Sequence, residues 1–240
     1  MSETANHKPI DSPQGGIISA LKVQKNNPQR VNVYSDGAYA IGLARITAAW
    51  LKVGQALSLE KITQLKDQDT REAAYQRALR LLSYRPRSSA EVRQRLTRLG
   101  YDEEVIDCVL GRLLRSGLLD DSRFAKEWAD NRSEFRPRSR RALEYELKQH
   151  GLDREEIDKA LEGLDESSLA LQAARKYARR LHGLPLAEFQ RKLYGFLARR
   201  GFSYEIAKPA VEQVWHECPD QSGEMRDASP HLTDEEEEDL

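Results

Sequence analysis

The chain has 240 residues, of which 39% are hydrophobic, 32% charged and 7% aromatic, and its formal net charge is −1. This composition favours helices with wide solvated faces, or several small modules, over one large core. No apolar run approaches the roughly 20 residues of a membrane span, and the chain does not open on a basic-then-apolar signal pattern. We therefore expect a cytoplasmic protein with no membrane partner.

The small net charge conceals two segments of opposite sign. Residues 217–240 contain ten acidic residues and one basic residue, a net charge of −9, which leaves +8 for residues 1–216. A basic body suggests an anionic partner, and the abundance of arginine favours bidentate contacts to phosphate or carboxylate groups. The acidic tail either keeps the protein soluble or folds back over the basic body as a screen against nonspecific DNA.

The first part of the chain predicts a small β-rich module. Residues 1–15 are polar and without period, and we expect them to be disordered. Residues 16–57 are predicted to form an N-terminal extension of two or three strands with a hairpin turn at 35–37, "SDG", followed by a short helix within "ARITAAWLKV". Tyr39 and Trp50 are assigned to the local core.

From Ser58 onwards almost every residue follows a helical period. We interpret this part as three consecutive repeats, each made of three helices, so the fold class is mainly α. The repeats must stack in tandem, because one such unit buries too little surface alone. The predicted divisions are repeat 1 at 58–119, repeat 2 at 120–165, repeat 3 at 166–216 and a disordered acidic tail at 217–240.

The sequence "RPRS" occurs twice, at 85–88 and 136–139, and each copy precedes a helix. Its proline disfavours α geometry in the residue before it, so the first helix of each repeat must end there. Ser88 and Ser139 then cap the second helix, and the S-x-x-E spacing of Ser88 and Glu91 predicts a capping box. Each RPRS is therefore a corner between the first and second helices.

A shift of 51 residues also aligns the apolar and glycine positions of the first two repeats. It maps Leu96 to Leu147, Gly100 to Gly151, Ile106 to Ile157 and Leu110 to Leu161. Each glycine ends a second helix, and a weaker third copy carries Gly201 at the equivalent place. Pro209 is expected to kink the last helix of that copy or to delay its start.

Several side chains in the repeats are assigned structural roles. Asp120 and Asp121 are expected to cap the helix that follows them. Phe124 and Trp128 lie one helical turn apart and are assigned to the core rather than to stacking on bases. Cys108 falls inside an apolar helical pattern and is expected to be buried.

The sequence contains no motif for catalysis or cofactor binding. Its five histidines are scattered without a metal-ligand spacing, and the phosphate-loop pattern GxxxxGK[ST] is absent. Nothing places serine, histidine and aspartate as a triad. We therefore expect a non-enzymatic protein with no cofactor and no metal.

Basic residues at the corners and in the third repeat are the candidate contacts for an anionic partner. Arg136, Arg138, Arg140 and Arg141 place four arginines in six positions at a helix N-terminus, which favours anions. Four like charges side by side are costly without a counter-anion, although the alternative is a solvated face paired with nearby acids. The other candidates are Arg85 and Arg87 in the first corner, Arg132 one turn beyond Trp128, and, in the third repeat, Lys176, Arg179, Arg180, Arg191, Lys192, Arg199 and Arg200.

The order of these motifs resembles the RecX family, the bacterial modulators of the RecA recombinase. The similarity is carried by "ALRLLSYRPRSSAEVRQRL…G", "LLRSGLLDDSRFAKEWADNR" and "RSRRALEYELKQHGLDREEIDKAL". It covers residues 70–216 and is most specific at Gly117–Ala125. Residues 17–65 are similar to an N-terminal extension of some members.

This resemblance implies three tandem three-helix modules in an elongated, curved array, and we expect a monomer. It also implies binding along the helical groove of the RecA filament on single-stranded DNA. There the protein would inhibit ATP hydrolysis, strand exchange and co-protease activity, and so limit recombination and the SOS response. Which basic residues touch DNA and which touch RecA stays open.

Two other functions stay open from the residues alone. Three-helix units resemble helix-turn-helix domains, so a stand-alone DNA-binding repeat protein is the alternative. However, the third helices begin with acidic residues, at 102–104 and at 153, 155 and 156, which repel phosphate and argue against reading of the major groove. An interaction scaffold without nucleic acid is the third function.

Overall fold

The structure, a computed structural model, describes residues 15–217. The predictions of disorder for residues 1–14 and for the acidic tail from 218 onwards lie outside the described residues. The elements are β1 (Gly16–Gln24), β2 (Asn27–Ser35), β3 (Ala38–Ala44), α1 (Arg45–Ala48), β4 (Ala56–Leu57), α2 (Leu59–Leu82), α3 (Ser89–Arg98), α4 (Glu103–Arg115), α5 (Asp121–Phe135), α6 (Arg140–Gln149), α7 (Arg154–Ala160), α8 (Glu166–Ala178), α9 (Leu186–Arg199) and α10 (Tyr204–Glu217).

This order of elements confirms the predicted fold class, a mainly helical chain that begins with a small sheet. Within the described range, α2 to α10 follow one another as three sets of three helices, and α3, α6 and α9 are the second helices of the sets. No helix between residues 15 and 217 is long and apolar enough to cross a membrane.

The chain divides into two compact units. One contains residues up to Lys126 together with Leu147–Ala160, and the other contains Glu127–Glu146 together with residues from Leu161 onwards. Helices α5 and α6 each contribute to both units. The units therefore do not coincide with the three helical sets, because the middle set is divided between them.

The sheet of the first unit is antiparallel, with strand order β3-β2-β1-β4. Asp36 and Gly37 join β2 to β3 with φ angles of 50° and 83°, and this pair of left-handed residues closes the predicted hairpin turn. One face of the sheet forms a core with the start of α2, made of Ile18, Val31, Val33, Ile41, Leu43, Ala48, Leu51, Leu57, Ile62 and Leu65.

Two aromatic residues of the sheet region are not part of this core. Trp50 is 86% exposed and Tyr39 is 48% exposed, so their assignment to the core was wrong. Trp50 lies two residues after the end of α1, which has only four residues and does not extend to this side chain. Tyr39 instead packs edge-on against Tyr34, with ring centroids 6.1 Å apart.

Helix α2 belongs to two cores at once. Its first half places Ile62 and Leu65 against the sheet, and its second half places Ala74, Tyr75 and Ala78 against α3 and α4. Between the two halves, the Asp69 carboxylate accepts hydrogen bonds from the Arg30 guanidinium at 2.9 Å and from the backbone N–H of Ala44. The 24-residue helix thus fastens the sheet to the first helical set.

The core of the first helical set follows the predicted apolar period, with one exception. Val92, Leu96, Ile106 and Leu113 are all fully buried. Cys108, however, is exposed, so its assignment to the core was wrong. It lies two residues after Ile106, which turns its side chain about 200° around the helix from the buried stripe.

Side chains cap most of the helix starts as predicted. The Ser88 hydroxyl accepts a hydrogen bond from the Glu91 N–H at 3.2 Å, but the Glu91 carboxylate does not complete the box and pairs with Arg85 instead. Asp153 and Glu156 do form a reciprocal box, and Asp120 accepts a hydrogen bond from the N–H of Arg123. Asp102 forms no side-chain cap.

The third helical set has a core of its own. It joins α8, α9 and α10 through residues that include Ala174, Phe189, Leu193 and Val211. Pro209 lies inside α10, which begins at Tyr204 and continues to Glu217. Of the two effects expected of Pro209, the delayed helix start is therefore wrong, and the kink stays a prediction.

The end of α6 packs on the start of α3, and we call this contact the first junction. The Ser88 hydroxyl donates a hydrogen bond of 2.6 Å to the His150 carbonyl. Gly151 follows with a φ of 77°, and any Cβ at this position would overlap the Cβ of Ala90. The Asp121 carboxylate accepts a hydrogen bond from the Ser89 N–H at 2.8 Å, so the corner serine and the glycine meet in one contact.

The end of α9 packs on the start of α6 in a similar way, and we call this contact the second junction. The Ser139 N–H donates to the Arg200 carbonyl at 3.1 Å. Gly201 has a φ of 89°, and a Cβ there would lie 3.0 Å from the Cβ of Ala142 and 2.5 Å from the Ser139 hydroxyl. Gly100, the equivalent residue of α3, has a similar φ of 82° but open space around it. Among residues 15–217, no helical set precedes the first one to occupy that space.

We predict that alanine substitutions at these glycines separate backbone strain from packing. Gly100→Ala should cost about 1–2 kcal/mol, because only the left-handed conformation opposes it. Gly151→Ala meets the same strain and also displaces Ala90, so it should cost about 1–3 kcal/mol more. Urea unfolding followed by circular dichroism measures both. Equal losses for the two variants would contradict the packing role of the junction.

We also predict that Ser88→Ala is more destabilising than Ser58→Ala. Both serines cap a helix through their hydroxyl oxygen, and loss of an exposed cap costs about 1 kcal/mol. Ser88 is buried and also donates to the His150 carbonyl, so its removal should cost about 1–3 kcal/mol beyond the cap. The same unfolding experiment on the matched pair checks this, and a difference near zero would contradict it.

Candidate nucleic-acid interface

A groove in the second unit gathers several of the candidate basic residues. It encloses about 340 Å³, and we call it the basic-aromatic groove. Its lining residues are Phe135, Arg136, Pro137, Ala173, Lys176, Tyr177, Arg180, Phe196 and Arg200. Four of these residues are cationic and none is acidic.

The second RPRS corner forms one side of this groove. Helix α5 ends at Phe135, and Arg136 and Pro137 follow as the chain turns towards Ser139. Pro137 is buried, whereas the Arg136 side chain is exposed. The corner that starts α6 therefore also presents a cation to the groove.

Helix α8 forms the opposite side and bonds to the end of α5. Lys176 donates from Nζ to the Phe135 carbonyl at 2.9 Å, and Gln172 donates to the Glu134 carbonyl at 3.3 Å. A cation at a helix C-terminus is favourable because the last carbonyls are unsatisfied there. These contacts place Lys176 next to Arg136 in the lining while leaving its side chain exposed.

Aromatic rings form the floor of the groove. Tyr177 and Phe196 stack face to face, with ring centroids 4.1 Å apart and an angle of 2° between the planes. The Arg200 guanidinium lies 4.7 Å from the centre of the Phe196 ring and donates to the Pro137 carbonyl at 3.4 Å. Rings flanked by cations suit single-stranded nucleic acid, which offers both base faces and phosphates.

Two of the four arginines at 136–141 are paired with nearby acids, which is the alternative that the sequence left open for them. Glu144 lies one turn beyond Arg140 on α6 and accepts a hydrogen bond from it at 3.0 Å, and Arg140 also donates to the Leu161 carbonyl. The Glu146 carboxylate lies 2.9 Å from Arg138. Half of the cluster is therefore held by acids of its own helix.

Glu146 also holds Arg132 and Trp128. Both side chains donate to the same carboxylate oxygen at 2.8 Å, and the Arg132 guanidinium lies 4.5 Å from the centre of the Trp128 ring. Phe124 is buried. Phe124 is therefore a core residue as expected, whereas Trp128 is half-buried and bonds to Glu146 at the edge of the core. Arg132 forms an ion pair with the same carboxylate.

The candidates of the first corner are bonded within the protein. Arg85 forms a 2.7 Å ion pair with Glu91, and Arg87 donates to the Leu81 carbonyl near the end of α2. Burial alone would raise the pKa of the Glu91 carboxyl. The hydrogen bond and charge of Arg85, with the charges of His150 and Arg87, outweigh burial and lower that pKa below its ordinary value.

The remaining candidates lie on the surface. Lys192 pairs with Glu188 at 3.1 Å, one turn earlier on α9. Four other candidates are exposed and form no ion pair with any acid of residues 15–217. These are Arg141, Arg179, Arg191 and Arg199. The structure thus brings Arg136, Lys176, Arg180 and Arg200 together and leaves these four dispersed.

Sequence reasoning missed the aromatic part of the groove. Tyr177 follows Lys176 directly in the sequence, and Phe196 lies four residues before Arg200. The i,i+4 spacing of Phe196 and Arg200 places the ring and the cation on one face of α9, which was a detectable signal. The stacking of Tyr177 on Phe196 joins two helices and was not available from spacing.

Family comparisons match nearly all of the described chain. The four matching family descriptions are the RecX regulatory protein N-terminal domain at residues 16–58 and the first, second and third RecX three-helix domains at 74–113, 120–161 and 165–211. The sheet module and all three helical sets are therefore recognised separately.

Relatives and solved structures agree with these matches. The regulatory protein RecX of Mycolicibacterium smegmatis is 40% identical over 156 residues, which is 62% of this chain and 83% of that protein. The regulatory protein RecX of Clostridium botulinum is 29% identical over 204 residues, which is 82% of this chain and 95% of that protein.

A crystal structure of regulatory protein RecX has a TM-score of 0.66 and 26% identity, and it covers 82% of this chain and 98% of its own. A second one, from Lactobacillus salivarius, has a TM-score of 0.54, covers 62% of this chain and 99% of its own and, at 23% identity, supports the fold alone. The fold and the sequence lead to one conclusion, that this chain belongs to the RecX family of regulatory proteins.

Proposed function

We propose that this protein is a non-enzymatic, monomeric regulator that acts in the cytoplasm on the recombinase RecA. It binds the RecA filament on single-stranded DNA and inhibits ATP hydrolysis, strand exchange and co-protease activity. By doing so it limits recombination and the SOS response. Membership of the RecX family supports the regulatory role, and the resemblance of the helical sets to that family suggests RecA as the partner.

The observation that carries the DNA part of this proposal is the composition of the basic-aromatic groove. Four cations surround the stacked rings of Tyr177 and Phe196, and no carboxylate lies in the lining. Phosphate contacts supply most of the affinity of such surfaces, and ring stacking accepts any base. We assign Arg136, Lys176, Arg180 and Arg200 to the DNA side of the complex.

The exposed arginines outside the groove suit the protein side of the filament. Arg141, Arg179, Arg191 and Arg199 have no ion-pair partner among residues 15–217. Dispersed surface charges of this kind chiefly raise association rates and fix register with acidic patches of a partner. We assign these four residues to contacts with acidic side chains of RecA.

Binding to DNA without RecA is the second candidate function, because the groove alone offers phosphate and base contacts. Duplex reading by the third helices is disfavoured. Helix α4 opens with Glu103 and Glu104, and the first turn of α7 contains Glu155 and Glu156 after Arg154. Titration of a labelled oligonucleotide without RecA separates the two functions, since tight, sequence-selective binding to duplex would favour the second.

We predict that Lys176→Glu with Arg180→Glu weakens inhibition of RecA. Both side chains are exposed, and neither lies in a hydrophobic core, so the variant should fold. The concentration that halves the RecA ATPase rate on single-stranded DNA should rise about tenfold or more, which corresponds to a loss of about 1.4 kcal/mol of binding free energy. The measurement is ATPase rate against concentration of the protein.

The matched control for this prediction is Arg95→Glu with Arg98→Glu. These residues are exposed on α3 and make the same change in net charge away from the groove. The control should inhibit like the unmodified protein. Absence of inhibition by the unmodified protein would overturn the proposed function, and equal loss in both variants would overturn the role of the groove.

Charge reversal at Arg138 and Arg140 is a poorer test of the same idea. It would place new carboxylates beside Glu146 and Glu144, where the structure has ion pairs. The Leu161 carbonyl would also lose its donor from Arg140. Loss of stability would then be confused with loss of a binding surface.

A further inference from the structure

The basic-aromatic groove has four cations and no acid, and the same chain carries a dense run of acids outside the described residues. Asp234–Asp239 are six consecutive acidic residues, "DEEEED". Like charges at this density repel one another and favour contact with a cationic surface. Charge complementarity therefore makes this segment a candidate occupant of the groove.

The chain leaves the described structure close to the helix that lines the groove. Glu217 ends α10, and its carboxylate is held by Arg175 of α8 through hydrogen bonds of 2.7 and 2.5 Å. This bidentate pair raises the pKa of the Arg175 guanidinium and lowers the pKa of the Glu217 carboxyl. Arg175 immediately precedes Lys176 in α8. The ion pair therefore holds Glu217, the last described residue, next to a residue that lines the groove.

The number of residues between the exit and the acidic run is sufficient to reach the groove. Asp234 is 17 residues beyond Glu217. At about 3.3 Å per residue this segment spans up to roughly 55 Å, whereas the 13 residues of α8 extend about 20 Å. The run is therefore within reach of Lys176 and Arg180.

We infer that the acidic run Asp234–Asp239 binds the basic-aromatic groove of its own chain and competes there with polyanions. Its carboxylates take the place of phosphates beside Arg136, Lys176 and Arg180. Single-stranded DNA displaces the run because it offers many connected phosphates and bases that stack. The inference adds a regulatory contact to the proposed function and rests on it only for the identity of the displacing anion.

The contact itself is tested by paramagnetic broadening on the full chain without any nucleic acid. A nitroxide label is attached at T233C, in a background with C108S and C218S so that no other thiol reacts. At low salt, the backbone amide signals of Lys176 and Arg180 should lose intensity selectively, compared with amides of the sheet. The loss should disappear in 1 M salt, where the Debye length is about 3 Å.

Two charge-matched variants of the labelled protein decide whether the acids make the contact. The tail variant is E235Q, E236Q, E237Q and E238Q, and the control neutralises four exposed acids elsewhere, as D67N, E104Q, D130N and E162Q. Signal should recover in the tail variant and stay reduced in the control. Full signal in the protein with an intact tail, or equal recovery in both variants, overturns the inference.

A second measurement shows whether the contact competes with DNA. Affinity for labelled oligo(dT) at low salt should rise about tenfold in the tail variant, as expected for removal of a competitor tethered at millimolar effective concentration that binds with a Kd of about 0.1 mM. The control variant should bind like the unmodified protein, and unchanged affinity in the tail variant overturns the competition. If broadening is seen but no variant binds oligo(dT), the tail contact stands and the DNA part of the proposed function falls.

Discussion

The repeated contact between a corner serine and the glycine end of the next second helix is the constraint on which the helical sets depend. In each junction the start of one helix, with its free N–H groups, faces the end of another, with its free carbonyls. The Ser88 hydroxyl donates to the His150 carbonyl, and the Ser139 backbone N–H donates to the Arg200 carbonyl. Because the approach leaves no space for a Cβ at Gly151 or Gly201, glycine is required twice, for its φ and for its size.

At the two ends of the described repeat series, the contact between a serine and a glycine is missing. Gly100 keeps the left-handed backbone but faces open space, since no earlier set packs there. At the other end, Pro185 precedes α9 where Ser88 and Ser139 precede α3 and α6, and it forms no side-chain cap. Ser88 and Ser139 both cap their helices. Ser88 also donates from its hydroxyl to the His150 carbonyl, whereas Ser139 meets the Arg200 carbonyl through its backbone N–H.

Most of the helical scaffold was predictable from the sequence because it depends on local spacing. Local spacing was enough to predict the RPRS corners, the apolar stripes and the capping serines, because each depends on residues close together in the sequence. The partner of Ser88 was not, because His150 lies 62 residues away and only packing brings the two together. The basic surface could likewise be predicted only where contacts are local. Arg140 and Glu144 form an i,i+4 ion pair that spacing predicts, whereas the stacking of Tyr177 on Phe196 depends on the packing of two helices.

The second junction and the basic-aromatic groove share Arg200, so the two features adjoin one another. The Arg200 carbonyl accepts a hydrogen bond from the Ser139 N–H, and the Arg200 side chain lies over the Phe196 ring in the groove. The backbone contact of the junction therefore also positions this cation. Fifty residues earlier in the chain, Glu146 and His150 stand where α9 has Phe196 and Arg200. The first junction therefore keeps the close approach of its glycine, with the Ser88 hydroxyl as donor, but has neither the ring nor the arginine. The junction is thus repeated, and beside the second copy the neighbouring side chains form a groove lined by cations and aromatic rings.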